Sequence, residues 1–298
     1  MQIAKDDHYC YCSDILVTAD PATALDIIAT GENHRRWASS MKREDSPGVW
    51  LGTSYFTGEE YIRIRFDVDH KDHFVDYMIG TPEDSNDDLK LMTWARVLPG
   101  AQLGYEEDTS LVALYQPRFA DQSLEVFLRD RFLHASEMYR IKALAEQSAA
   151  VSADALPSGE YLATASEVIL TSRETLFDFI SDGLEYGKWT WGRSARSEID
   201  TNTFQCKQDF GGPDLLVRLE IDRERKTVDY YVGDKPETML LQQSARVFEG
   251  SLFGYEQNTA LLTLTRWRAA DASNFEWDRA ILSQLIEMKM TKAVLERS

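Results

Sequence analysis

Residues Ile62 to Asp69 alternate without a break. Ile62, Ile64, Phe66 and Val68 are apolar, and Arg63, Arg65, Asp67 and Asp69 stand between them. That period of two marks a strand with one buried face. Further on, Leu215, Val217, Leu219 and Ile221 repeat it. The next strand puts Val75, Tyr77 and Ile79 on one face, matched by Val228, Tyr230 and Val232. Another groups Leu91, Thr93, Ala95 and Val97, matched by Leu241, Gln243, Ala245 and Val247. A last strand runs over 109–115 in the first half and 259–267 in the second. Ahead of these come a short strand (15–19, 168–171), a helix starting near Pro21 or Arg173, and a shorter helix ending at Trp37 or Trp189. Asp20-Pro21 is an N-cap followed by proline at the first helical position.

Each half closes with a long helix, about 121–147 and 273–296. Phe127, Arg131, His134 and Met138 share one of its faces, and Trp277, Ile281, Gln284 and Met288 are their counterparts.

The match between halves extends to single residues. Gly104-Tyr105-Glu106 with Thr109 returns as Gly254-Tyr255-Glu256 with Thr259, and Ala95-Arg96-Val97 returns as Ala245-Arg246-Val247. The offset stays between 150 and 153. A period of that size is a duplicated domain, because solenoid repeats run to roughly 20–50 residues. The expected domains are 1–150 and 158–298, with a polar linker at about 148–160 containing Pro157-Ser158-Gly159. Each is an α+β unit: a strand, two small helices, an antiparallel meander and one long helix to cover the sheet.

Charge narrows the function classes. The chain has a net charge of −18, with 15 basic and 26 acidic residues in 1–150 and 17 and 24 in the remainder. Neither half has a basic stripe, so no nucleic acid and no anionic membrane surface is expected as partner. No apolar stretch approaches the roughly 20 residues of a membrane span. Three cysteines, Cys10, Cys12 and Cys206, make no disulfide framework, and the N-terminus lacks a signal-peptide pattern, so a cytoplasmic protein is expected. Oligomeric state is not readable. P-loop, dinucleotide and nucleophile-elbow motifs are absent, and no cofactor is expected. His8 to Cys12, the His70-x-x-His73 pair and the acidic 82–88 loop are weak metal candidates. The last two read as solvated turns, and no metal is expected.

The element order, with Trp37 ending the second helix and a Gly-x-x-x-x-Thr run entering the last strand, resembles the helix-grip superfamily. That group includes START lipid-binding domains and polyketide aromatase/cyclases. Two such units in one chain look like the didomain aromatase/cyclases. The resemblance implies two tandem helix-grip domains, each a curved antiparallel sheet wrapped around a long C-terminal helix, and a cavity for a hydrophobic small molecule. No active-site motif of that family is matched here, so no catalytic residue carries over.

Matched charges read as architecture. With hairpins turning at His70-Lys71 and Arg223-Glu224, Arg65 falls opposite Asp76 and Arg218 opposite Asp229, an ion-pair ladder on the outer face that Arg96 and Arg246 extend. The expected inner face of the first copy carries Tyr77, Thr93, Tyr115, Arg131 and His134. In the second it carries Tyr230, Gln243, Thr263, Thr265 and Gln284. Arg131 and His134 give way to Ile281 and Gln284, so the first copy is the expected chemical pocket. His134 is the acid/base candidate, Tyr77 and Tyr115 are hydrogen-bond donors to a carbonyl, and Arg131 holds an anion. Trp37, Thr93, Tyr230, Gln243, Trp277 and Gln284 are ligand-binding candidates. Against these stand plainer readings: Trp37 and Trp189 plug the cores, Tyr77 and Tyr230 pack, His134 is merely paired, and Arg131 snorkels. Three functions stay open: a cyclase/aromatase-like enzyme of secondary metabolism, which is favoured; a carrier or sensor of a lipid or aromatic metabolite; and a protein-interaction module with no cavity.

Overall fold

A computed structural model describes residues 9–38, 40–54, 59–146, 161–208 and 213–296, which leaves the 148–160 linker and His8 outside the described residues. Domain 1 runs β1 (Cys10–Val17), α1 (Pro21–Ala29), α2 (Gly31–Trp37), β2 (Ser40–Ser46), β3 (Val49–Ser54), β4 (Glu60–Asp69), β5 (Phe74–Gly80), β6 (Lys90–Pro99), β7 (Ser110–Pro117) and α3 (Leu124–Ala145). Domain 2 repeats the order. It has β8 (Leu162–Ile169), α4 (Arg173–Ser181), α5 (Tyr186–Trp189), β9 (Arg193–Asp200), β10 (Thr203–Gln208), β11 (Leu215–Asp222), β12 (Thr227–Gly233), β13 (Leu240–Glu249), β14 (Ala260–Trp267) and α6 (Asn274–Leu295).

Each domain is one seven-stranded antiparallel sheet. The orders are β1-β7-β6-β5-β4-β3-β2 and β8-β14-β13-β12-β11-β10-β9. The first strand returns to pair with the last, and the long helix packs on the face that the small helices also cover. This is the helix-grip architecture, twice. Asp20 caps α1, accepting from the Ala22 and Thr23 amides at 3.0 and 3.1 Å. Ser273 and Glu276 form a capping box that starts α6.

Two expectations about register are corrected. The hairpins turn through four residues, because Asp69 accepts from the Lys71 and Asp72 amides and Asp222 does the same for Glu224 and Arg225. His73 and Lys226 close the turns at φ 54 and 57. The pairing therefore slips by two: Asp67 lies opposite Asp76, Arg65 opposite Met78, and Glu220 opposite Asp229. Arg65 binds Asp67 on its own strand instead. Second, the β5–β6 register shifts between Tyr77 and Met78, and the β12–β13 register between Tyr230 and Tyr231. Such a bulge reverses side-chain parity. Leu91 and Leu241 therefore leave the inner face that Thr93 and Gln243 occupy, and join the opposite cluster.

That opposite face is not solvated. The two sheets bury it against one another. Trp94, Leu111 and Tyr115 of domain 1 pack with Phe248, Leu261 and Trp267 of domain 2. Arg96 binds Asp229, with Nη1 to Oδ1 at 2.7 Å, and Arg246 binds Asp76 through two contacts of 2.8 Å. The Tyr105 hydroxyl donates to the Arg268 carbonyl at 3.0 Å, and Tyr255 to the Arg118 carbonyl at 2.8 Å. The Ala270 amide bonds the Leu103 carbonyl, and the Ala120 amide bonds Phe253. Each of these three polar contacts occurs twice with the roles exchanged, so the domains are related by a pseudo-two-fold, the geometry of an isologous dimer within one chain. The repeated Gly-Tyr-Glu run is part of this clasp. Gly104 and Gly254 take φ 81 and 78, which a side chain would strain, and each lies against an alanine of the other domain.

Candidate functional site

The inner faces hold two cores that differ in kind. In domain 1, α2 begins at the Thr30 cap and delivers His34 and Trp37 to the sheet. Trp37 is 2% exposed and its indole donates to the Ile27 carbonyl at 2.8 Å. Tyr77 on β5 donates to the Ile28 carbonyl at 3.0 Å. Burial pushes the Tyr77 hydroxyl well above its ordinary pKa, so it stays a donor. These two polar tips hold α1 down on the sheet. Thr93 donates to the Tyr115 carbonyl, and the Gln116 amide to the Pro117 carbonyl at 3.1 Å.

Between this floor and α3 lies a cavity of about 170 Å³. Its lining includes His34, Trp37, Tyr77, Thr93, Gln116, His134 and Glu137. His134 and Glu137 are three apart on α3 and share a face, and Nδ1 stands 3.5 Å from the Glu137 carboxylate. The His34 ring lies 4.3 Å from Trp37 and 5.8 Å from Tyr77, centre to centre. Tyr61, 48% exposed, stands at the edge of the cavity. Two imidazoles and a carboxylate thus meet an otherwise apolar space, with the remaining polar tips spent on backbone carbonyls.

Domain 2 has the same frame and a different filling. Tyr230 donates to the Ile180 carbonyl at 2.7 Å, the counterpart of Tyr77. Tyr186 stands where domain 1 has His34, beside the Arg193 guanidinium. Gln284, the counterpart of His134, donates to the Ala163 and Leu264 carbonyls and ties α6 to β8 and β14. Arg266, the counterpart of Gln116, donates to Gln243 at 2.7 Å and to Glu287 at 3.0 Å. Glu287 also accepts from the Trp191 amide. The space that is open in domain 1 is here closed by a hydrogen-bonded network.

The sequence candidates sort accordingly. His134, Tyr77, Thr93 and Trp37 line one cavity. Tyr115 does not: its ring stacks on Trp94 at 5.1 Å in the inter-domain face, as strand parity requires once Val112 and Leu114 point inward. Thr263 and Thr265 are corrected for the same reason. Arg131 is on α3, with its side chain outside the described residues. Tyr230, Gln243 and Gln284 are tied into the domain 2 core, and Trp277 lines a separate groove. Trp189 is a core residue. The expectation that titratable groups collect in the first copy is also corrected, since Arg193, Arg266 and Glu287 sit inside the second. His34, Glu137, Arg266 and Glu287 were missed. A signal existed: Arg266 breaks the apolar parity of Leu262 and Leu264, and a glutamate follows three residues after both His134 and Gln284. Cys10 and Cys12 lie at the domain interface, and among the described residues no cluster could hold a metal.

No family model matches the chain, and a comparison with curated proteins finds none similar. Among solved structures, the di-domain ARO/CYC BexL from the BE-7585A biosynthetic pathway is similar over 97% of this chain and 99% of its own, at 14% identity and TM-score 0.33. The di-domain ARO/CYC StfQ from the steffimycin pathway is similar over 96% and 98%, at 11% identity and TM-score 0.35. A START superfamily protein from Mycobacterium smegmatis is similar over 46% of this chain and 98% of its own, at 11% identity and TM-score 0.35. At these scores the likenesses carry no argument about activity. The architecture rests on the strand order and helix placement of this chain. No helix among the described residues is long and apolar enough to cross a membrane.

Proposed function

We propose that the domain 1 cavity binds a hydrophobic small molecule and transforms it by proton transfer, as a cyclase/aromatase-like enzyme would. One observation carries this reading. His134 and Glu137 face an open cavity with His34, whereas at the matching place in domain 2 Gln284 is spent on strand carbonyls and the space is filled. A duplicated fold that keeps one interior open and closes the other separates site from scaffold.

The size limits the substrate. A cavity of about 150 Å³ holds one benzene, so 170 Å³ receives one ring or its open-chain precursor. The matching chemistry is an intramolecular aldol closure. His134 takes the proton from a carbon beside a carbonyl, with Glu137 next to its Nδ1 stabilising the imidazolium. The resulting enolate carbon attacks a second carbonyl of the same chain and forms the carbon–carbon bond. The alkoxide takes a proton back, and loss of water completes the enone. Much of the rate comes from folding the chain so that the two carbons meet.

The carrier reading keeps its place, because Trp37, Tyr77 and Thr93 present mainly apolar surface to the cavity. One experiment separates the two. A seven-carbon linear diketone that closes to a methylcyclohexenone is incubated with the protein, and the enone is followed by its absorbance. The enzyme reading expects turnover by wild type and loss of about 10²-fold or more in His134→Gln, with binding retained. Binding without turnover in wild type selects the carrier. No binding of this or any other single-ring probe overturns both.

A further inference from the structure

We infer that domain 2 carries a second ligand site, on its surface groove and apart from the domain 1 cavity, which takes a planar aromatic anion. The groove is about 620 Å³, within the roughly 300–1,000 Å³ usual for small-molecule sites. Trp191 and Trp277 line it, the first 37% exposed and the second 7%. Flat indole walls suit a flat ring.

The charges in the groove specify the rest. Arg193, Arg266 and Arg268 line it and Glu276 is the acid on its rim, with Glu287 behind Arg266. Among the described residues three guanidiniums stand against these two carboxylates, on a chain whose net charge is −18. Glu276 is already engaged by the Ser273 cap, and Arg268 donates to the Ala272 carbonyl. Arg266 decides the matter. Its side chain is 9% exposed, and its Nη2 is occupied by Gln243 and Glu287. Its Nε is buried with no hydrogen-bond partner among the described residues. A buried guanidinium N–H without an acceptor is costly. A carboxylate or enolate in the groove meets these guanidiniums, whose flat edges match a planar anion.

At the matching position of domain 1 the uncharged Gln116 replaces Arg266. This guanidinium is thus specific to the second copy, as the open cavity is to the first.

The test uses naphthoate and its neutral analogue naphthalenemethanol, titrated into the full chain by calorimetry and by quenching of tryptophan fluorescence. Naphthoate is expected to bind about tenfold or more tightly than the alcohol. Trp191→Ala, at a half-exposed site, is expected to weaken naphthoate binding by about fivefold or more while the fold is kept. The double variant Arg266→Gln with Glu287→Gln removes both charges of the buried pair, so neither is stranded, and should reduce the preference for the anion, with Arg193 and Arg268 left to hold the remainder. Equal affinity for acid and alcohol in wild type overturns the inference. So does naphthoate binding that survives Trp191→Ala and is lost in His134→Gln, which would put the molecule in domain 1. A failure of the proton-transfer reading would show as absent diketone turnover and would leave these titrations unchanged.

Discussion

Arg96 of domain 1 grips Asp229 of domain 2 through both terminal nitrogens, and the carboxylate also accepts from the Ser244 hydroxyl. The pair is buried, with side chains 8% and 10% exposed. Its mirror contact, Arg246 with Asp76, has side chains 7% and 20% exposed. Of the charges that recur in both halves, Arg96 and Arg246 with Asp229 and Asp76 therefore join the halves, while Arg65 and Arg218 pair within their own strands.

Removing one partner strands the other. Asp229→Ala should cost about 3–5 kcal/mol, and Asp76→Ala less because water reaches that pair more easily. Urea unfolding of the two variants checks the order. Equal and small losses would return these charges to a solvated role.

The tyrosine clasp gives a milder and additive effect. Tyr105→Phe and Tyr255→Phe each delete one hydroxyl-to-carbonyl bond between domains, worth about 1 kcal/mol. The two bonds lie at separate ends of the pseudo-symmetric interface, so the double variant should lose close to the sum. A double loss well above that sum, measured by thermal unfolding, would mean the two ends are coupled.

Filling the domain 1 cavity from domain 2's own pattern should abolish it. Thr93→Gln places there the residue that domain 2 uses at Gln243. The added volume enters open space and should change stability by less than about 1.5 kcal/mol. Binding of a single-ring probe such as indole should fall by about tenfold or more. Retained binding would locate the ligand elsewhere.

Stability should decline at alkaline pH for a definite reason. Burial pushes the Cys206 thiol up to about 11 from 9.0, and the Tyr105 and Tyr255 hydroxyls up to about 12 from 10.0. The native state keeps these protons after the unfolded chain has lost them. Their contribution is therefore complete below about pH 9 and is lost as pH rises through 11 and 12. Denaturation midpoints against pH follow this, and Tyr105→Phe with Tyr255→Phe should flatten the upper part of the decline. A midpoint that rises above pH 10 would contradict it.

Much of the molecule was legible in the sequence. Alternation at 62–69 and 215–222 marked the strands, Asp20-Pro21 marked the start of α1, and the recurrence of Trp37 as Trp189 and of the Gly-Tyr-Glu run marked the duplication. These are local signals, set by backbone geometry and by burial on one side of an element. His134 was legible as a cavity residue for the same reason, since helical spacing placed it with Phe127 and Met138.

What tertiary structure decided lies where one element meets another. The four-residue turns shifted the β4–β5 and β11–β12 register by two, and the bulges opposite Tyr77 and Tyr230 reversed the parity of Leu91 and Leu241. Strand alternation says which residues share a face, but not whether water or a second sheet covers it. Arg96 therefore read as a solvated outward charge and proved to be interface, and Tyr115, which read as inward, lies in that interface too. Nor does alternation fix volume: that one interior stays open beside His134, while Arg266, Glu287 and Gln284 close the other, follows from side chains on different elements meeting across 20 to 121 residues of sequence. Sequence by itself determined the elements and their repetition; the packing of one copy on the other determined which of the repeated residues are buried between the domains and which face an interior.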